Sequence, residues 1–394
     1  MDQERKYRTV KWQILFGSIV TFANLYSYQA LLPILVQEFS ITPAKASLTV
    51  SIPTLVLAFS LLIMAVISDT YGRKKMMGIS LVGAACMNLF VLFSKNYETI
   101  LLIRGIQGVL LAGFPAIAMT YLSEEIDSTT IGRIMAIYIS GTGIGGFLGR
   151  ITTSAISDIY TWKIAIFCMG IISLAFAYYF IKKLPPSQNF VKRTFSVGEV
   201  RIGMKRALLN RQLVPLYFMA FLLLGSFSTI FNYVAFPLSE APFSLGYTLI
   251  GLFFVFQLTG TMGSILAGRL IEKYHRYVVI LLGAVLFIAG AFLTTTASLL
   301  FFCIGLFFIG IGFFASHSLA SGWVGIIAPA IDRSYASSYY LLFYYLGASI
   351  MGTLGGWILL AYKWQGVVWF VMAGFLGVIG LSIVIPSLLK ERQK

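Results

Sequence analysis

The chain has 394 residues, of which 58% are hydrophobic and only 11% charged, and its mean hydropathy is +0.87. A water-soluble globule of this composition would expose far too much apolar surface, so the solvent for that surface is lipid. The 29 Lys and Arg against 14 Asp and Glu leave a net charge of +15, and the location of those basic residues decides between nucleic-acid binding and membrane topology.

A helix crossing a hydrocarbon core needs about 20 mostly apolar residues. Met1 to Lys11 is basic, and the apolar run after it is full span length with no small-residue cleavage site, so it is expected to stay as the first helix. Spans are expected near residues 12–36, 46–68, 76–94, 98–122, 132–156 and 162–182, then 213–237, 246–268, 277–296, 299–323, 335–361 and 364–387. Runs such as Val278–Phe292 and Val367–Ile385 are apolar on nearly every face, which excludes the alternation of barrel strands. Cys86, Cys168 and Cys303 fall inside spans without metal-like spacing and read as packing residues.

The long polar connection, Lys183–Arg211, is basic and carries Pro185 and Pro186; it is the expected cytoplasmic linker (183–211) between bundles at 1–182 and 212–394. With the N-terminus inside, 23 basic residues lie on inner segments and four on outer loops. Both termini are therefore expected in the cytoplasm, and nucleic acid is set aside as a partner.

Three features recur at a spacing of roughly 200 residues. Asp69-Thr70-Tyr71-Gly72-Arg73 is echoed by Glu272-Lys273-Tyr274-His275-Arg276. Gly141-Thr142-Gly143-Ile144-Gly145-Gly146 is echoed by Gly352-Thr353-Leu354-Gly355-Gly356, and Tyr160-x-Trp162 by Tyr362-x-Trp364. The expected fold is an all-α membrane protein of twelve transmembrane helices in two pseudo-symmetric six-helix bundles, with a site between them near the midplane.

These residues resemble the major facilitator superfamily over the whole chain. Ala65 to Lys75 is similar to its signature between the second and third helices, with Ala65 in place of a glycine and Thr70 in place of a basic residue. Arg104-x-x-Gln107-Gly108 is similar to a pattern of its fourth helix. Gly141–Gly146 is similar to the fifth-helix motif of its drug/proton antiporter-like branch, with Thr142 where a proline is usual. The resemblance implies that Asp69, Gly72 and Arg73 form a cytoplasmic gate latch. Glu124, Glu125 and Asp127 are the expected partners of Arg73, with Arg133 nearby and Glu272 and Arg276 as the second-half copy.

Arg104, two turns inside the fourth span, is costly in lipid unless it faces a cavity or a partner. It is expected to serve transport with Gln107 and Arg150, or to snorkel. Two buried positive charges suit an anionic or zwitterionic ligand; an amphipathic one is equally open. No acid lies near a span centre, so the proton falls to His317, the histidine within a span, with Glu38, Asp158 and Glu124 as alternatives. Packing within Ser316-His317-Ser318 explains that histidine equally well.

Asn24, Tyr28, Gln29, Asn232, Tyr233, Gln257, Tyr340 and Tyr344 are expected to line the cavity, with Asn24/Tyr28 and Tyr340/Tyr344 each sharing a helix face. Interhelical bonding is the alternative. Gly141, Gly145, Gly146, Gly352, Gly355 and Gly356 are read as packing glycines about which the halves rock. The expected function is export of a small organic molecule by proton antiport, with the proton gradient as energy source and no cofactor, from a monomer in the plasma membrane. An importer or uniporter, or a non-transporting sensor or scaffold, are the alternatives. The pattern holds no catalytic constellation, so an enzyme is not expected.

Overall fold

The structure, a computed structural model, describes residues 2–126, 128–187 and 197–390; some side chains within helices, Asp69 among them, lie outside the description, as does Asp127. The described residues form helices joined by short turns. In order these are α1 (Asp2–Tyr26), α2 (Leu32–Phe39), α3 (Pro43–Tyr71), α4 (Arg73–Phe90), α5 (Tyr97–Glu125), α6 (Ser128–Ile159) and α7 (Trp162–Lys183). They continue with α8 (Val197–Leu209), α9 (Val214–Tyr233), α10 (Ala235–Ser239), α11 (Tyr247–Phe253), α12 (Gly260–Leu270), α13 (Arg276–Leu293), α14 (Leu299–Ile327) and α15 (Arg333–Lys390). Among the described residues, eleven stretches are long and apolar enough to span a bilayer. The last of them turns at Lys363, where φ is +57° and the helix breaks, which makes twelve spans.

Local chemistry sets several of the ends. Asn96 accepts from the Thr99 backbone N–H at 3.0 Å to start α5, and the Thr161 hydroxyl accepts from that of Ile164 to start α7. Two of the expected continuous spans are broken. The first stops at Tyr26, turns through residues 27–28 and resumes through a 3-10 turn at Gln29–Leu31 into α2. Asn24 therefore lies in the last turn of α1 and Tyr28 in the turn that follows it. The eighth carries a 3-10 stretch, Phe254–Thr259, between α11 and α12, and Gln257 sits in it.

The contacts divide the chain into two compact units, one of Met1–Ser40, Leu48–Phe195 and Gly246–Leu252, the other of Ile41–Ser47, Ser196–Leu245 and Phe253–Lys394. In the first, α1 packs on α6 and α4 on α5 and α7. Its core centres on the fully buried Phe114, which lies between Tyr138 and Phe180. In the second, α9 packs on α15 and α13 on α14, with Phe287 stacked on Phe375 at 3.6 Å. Large apolar side chains remain exposed along the spans, among them Ile63, Leu102, Ile139 and Trp369, as lipid-facing surfaces require. The chain is a multi-pass integral membrane protein.

The glycine runs pack helices inside a unit. A Cβ on Gly141 would lie 2.7 Å from Ser18 Cβ, and on Gly145 and Gly149 2.7 Å from the Cα atoms of Ile19 and Ala23. Four residues apart, the three glycines form a seam against the backbone of α1. In the second unit Gly347 meets the Phe221 backbone and Gly355 the Thr229 and Tyr233 side chains, both on α9. Gly352 supplies a carbonyl to the Tyr233 hydroxyl at 2.6 Å, and a Cβ on Gly356 would come within 2.5 Å of that hydroxyl. The seams at Gly141, Gly145 and Gly149 join α6 to α1 and those at Gly347 and Gly355 join α15 to α9, while a Cβ on Gly356 would also lie 2.4 Å from the Ala44 backbone at the start of α3.

The linker, read from sequence as a polar connection only, contains α8. Arg206 on that helix grips Asp332 through both carboxylate oxygens, at 2.7 and 3.1 Å. The carboxylate holds the guanidinium more firmly protonated than usual through those bonds. Tyr217 donates to the Ala207 carbonyl at 3.1 Å, and Gly203 lets the Tyr335 ring lie against the helix.

Candidate functional site

The first unit holds a chain of buried polar groups across four helices. Asn24 of α1 donates to the Ser173 hydroxyl of α7 at 2.9 Å and accepts from Asn88 of α4 at 2.6 Å. Asn88 accepts from Gln107 of α5 at 2.8 Å, and Gln107 also donates to the Ala84 carbonyl at 2.8 Å. Arg104, one turn earlier on α5, donates to the Gln107 side-chain oxygen. Asn24, Asn88, Arg104 and Gln107 are fully buried. The donors and acceptors of this series are matched, which is the condition for burying polar groups at all.

The rest of the Arg104 guanidinium goes to backbone carbonyls. It donates to Thr49 O at 2.7 Å, Asn24 O at 3.0 Å and Leu25 O at 2.7 Å. Each of those oxygens sits at a helix irregularity. Asn24 and Leu25 belong to the last turn of α1, whose final four carbonyls have no intrahelical donor. Thr49 lies four residues before Pro53 inside α3, and proline has no N–H to give it. The arginine supplies donors at both places, joined at Asn24 O by the Ser27 hydroxyl at 3.0 Å, and its charge faces the negative end of α1. Gly108 completes the arrangement: a Cβ there would be 2.6 Å from Pro53 O and 2.8 Å from its Cα. Arg104, Gln107 and Gly108 thus make a seat for the interrupted end of α1 and the proline-bearing turn of α3. Tyr28 closes it, its ring 4.5 Å from the guanidinium. No acid pairs with Arg104 among the described residues. With its donors committed to carbonyls, the expectation that it receives an anionic ligand finds no support in this geometry.

Arg150 of α6 makes a second buried cation. Its Nε donates to Gln29 Oε1 at 2.6 Å and its guanidinium lies 4.4 Å from the Tyr26 ring. Gly146 leaves room for it, since a Cβ there would fall 2.9 Å from Nη1. Both arginines therefore gather at the break between α1 and α2.

At the basic end of α3, Arg73 is buried and forks onto Glu124, with Nε to Oε2 at 3.1 Å and Nη2 to Oε1 at 2.8 Å. Its Nη1 donates to the Ser68 hydroxyl at 2.6 Å. Of the acids offered by sequence, Glu124 takes the arginine, and Asp127 lies outside the described residues; Arg133 is exposed. The pair ties the α3–α4 turn to the end of α5 with bidentate geometry. Gly72 makes that turn at φ +91° and ψ 145°, with nothing within 4 Å of a Cβ position. Only glycine holds that backbone without strain. Gly72→Ala is expected to cost about 1–3 kcal/mol and to pull Arg73 off Glu124, read as a lower melting temperature together with loss of any transport gating. The second-half copy is different: Glu272 and Arg276 form no ion pair among the described residues, and Glu272 points to the surface.

In the second unit, His317 of α14 meets two tyrosines of α15. Its Nδ1 is 3.0 Å from the Tyr340 hydroxyl, and its ring stacks on Tyr344 at 4.5 Å and, nearly parallel, on Phe313 at 5.7 Å. Phe313 stacks in turn on Phe227 at 4.0 Å. The four-residue spacing of Tyr340 and Tyr344 had placed them on one face, and both reach the histidine. Asn232 and Tyr233 are fully buried on α9, and the Gln257 Nε2 is buried with no partner among the described residues. The alternative acids serve other bonds: Glu38 accepts from the Trp162 ring, and Asp158 from the backbone and hydroxyl of Thr248 at 3.0 and 2.6 Å. Sequence reading missed Asn88 and Ser173. An asparagine alone in an otherwise apolar span is the signal that marks Asn88, since it needs a partner in lipid.

The sequence matches the Major Facilitator Superfamily over residues 14–254 and 233–394. It is 37% identical to the MFS-type transporter YybF of Bacillus subtilis (strain 168) over 388 residues, covering 98% of this chain and 96% of that one. It is 38% identical to the inner membrane transport protein YnfM of Escherichia coli (strain K12) over 362 residues, covering 92% and 87%. The fold superposes on the nucleoside transporter NupG with a TM-score of 0.79 at 13% identity, covering 95% of this chain and 99% of that one. With two related relatives matched nearly end to end and the repeat and helix count in agreement, the chain belongs to the major facilitator superfamily of membrane transporters.

Proposed function

We propose that the chain is a secondary active transporter that exports a small amphipathic organic compound by alternating access, in exchange for protons, from the plasma membrane with both termini in the cytoplasm. The observation that carries this reading is His317, an imidazole set inside a span, hydrogen-bonded to Tyr340 and stacked between Phe313 and Tyr344. A titratable ring set among aromatic faces offers one surface to a proton and its neighbours to an apolar ring. The excess of basic residues on alternate connections supports the orientation. Arg73 and Glu124 serve as the cytoplasmic latch, in keeping with their bidentate, partly buried pair.

The test is flux in proteoliposomes of the purified full chain under an imposed pH gradient, with labelled aromatic amphiphiles, amino acids and sugars. Amphiphile movement opposite to the proton is expected, and His317→Ala is expected to abolish the dependence on the gradient while leaving gradient-free exchange. Movement with the proton would make the protein an importer. Flux indifferent to the gradient would reject proton coupling, and an unchanged His317→Ala profile would remove the histidine from it.

A further inference from the structure

The first turn of α4 and the last turn of α7 lie side by side at the basic end of the first unit, and a groove of about 680 Å³ runs between them. Lys74 and Lys75 stand at its mouth, and Gly78, Ile79, Val82 and Ile181 line it below. The groove exists because Gly78 has no side chain: a Cβ there would meet Ile181 at 3.0 Å. Ile79 and Ile181 are 48% and 40% exposed, so this face looks out of the bundle onto lipid. Neither lysine joins an ion pair among the described residues, whereas the adjacent Arg73 is committed to Glu124.

We propose that this groove binds an anionic phospholipid, with the headgroup phosphate on Lys74 and Lys75 and an acyl chain along Gly78, Ile79 and Ile181. Three features favour that occupant over a soluble anion. The charge is confined to one end, the remainder is apolar, and the opening faces the bilayer, so a ligand with a charged head and an apolar tail fits both parts. The volume is that of a small-ligand site. The uncapped backbone N–H groups at the start of α4 add to the attraction for the phosphate.

The internal repeat supplies an independent observation. A second groove, of about 820 Å³, lies at the matching place in the other unit, between α13 and the end of α15. Arg276, His275, Tyr277 and Trp323 of α14 line it, together with Ile383, as Ile181 lines the first. Ile181 and Ile383 stand at the same distance after Trp162 and Trp364, the repeated tryptophans. Arg276, which forms no latch, gains a role here as the cation of the second groove. Assignment of the grooves to the cytoplasmic leaflet rests on the orientation proposed above, but their affinity for lipid does not, so the two can fail separately.

The test uses the full chain in phosphatidylcholine nanodiscs doped with spin-labelled phosphatidylglycerol, in an Arg276→Gln background that leaves the first groove alone. A motionally restricted population is expected for phosphatidylglycerol and not for spin-labelled phosphatidylcholine. Lys74→Gln with Lys75→Gln is expected to weaken it about 25-fold, or about fivefold per cation at roughly 1 kcal/mol each. Ile79→Trp, which fills the groove and leaves the charge, is expected to displace the restricted label as well. Arg201→Gln with Lys205→Gln removes the same charge from exposed positions on α8 and is expected to leave it unchanged. Equal loss in that control would reduce the effect to general surface charge and overturn the proposal. Retention of the label in Ile79→Trp would overturn the groove, and retention in the double lysine variant would overturn the headgroup contact.

Discussion

Replacing Arg104 with methionine is expected to destabilise the protein by about 3 kcal/mol or more, because it removes a charged donor from three buried carbonyls and one amide oxygen at once. The side chain volume is nearly kept, so lost packing is not the main effect. What goes is the donor set that closes α1 at Asn24 and Leu25 and covers Thr49 opposite Pro53. Arg104→Lys is expected to recover little, since a single ammonium cannot span oxygens on two helices as the planar fork does. Thermal unfolding of the purified protein in detergent reads the first effect, and flux in proteoliposomes reads the second. A variant that melts like the parent but does not transport would show instead that Arg104 acts on substrate or proton, and the structural seat would be the wrong account.

Gly145→Leu is expected to be comparably severe. A Cβ at Gly145 already meets the Ile19 backbone, with its Cα at 2.7 Å, and backbone cannot turn aside as a side chain can. Forcing α6 off α1 costs at least the 1–3 kcal/mol typical of overpacking, and the seam runs on through Gly141 and Gly149, so the displacement spreads along both helices. The expected result is a loss of monodisperse protein on size exclusion and a lowered melting temperature. Gly380→Ala, at a position with nothing within 4 Å of a Cβ, is expected to be silent. If Gly145→Leu folded normally and only its flux failed, the glycine seam would belong to a moving contact after all.

Most of the span pattern was legible in the sequence because burial in lipid demands long apolar runs, and length alone separates a span from a turn. The breaks were not. The interruption at residues 27–31 persists because Arg104, some 75 residues further along the chain, satisfies the carbonyls it exposes, and no window around residue 27 contains that arginine. The linker helix α8 escaped notice for another reason: it is short and half polar, and its docking rests on Arg206 and Asp332, far apart in sequence. Periodicity succeeded where partners share a helix, as with Tyr340 and Tyr344 on His317. It could offer Glu124, Glu125 and Asp127 to Arg73 but could not choose, because the choice is made by where α5 ends relative to the α3–α4 turn. The motif Arg104-x-x-Gln107-Gly108 was noticed for its charge, while its glycine turned out to explain as much, by admitting Pro53.

The pairing of Arg104 with a proline on another helix constrains the order in which these positions can change. Were Pro53 replaced by alanine, residue 53 would regain an N–H able to reach the Thr49 carbonyl, and the arginine Nε would lose its task there. Arg104→Met should therefore cost less in a Pro53→Ala background than in the parent, a positive coupling between sites on different helices. Lineages that kept the proline would be held to the arginine, while those that lost it first would be freer to lose the arginine afterwards. A proline in one helix leaves a carbonyl that an arginine on another satisfies, and the two positions are energetically tied.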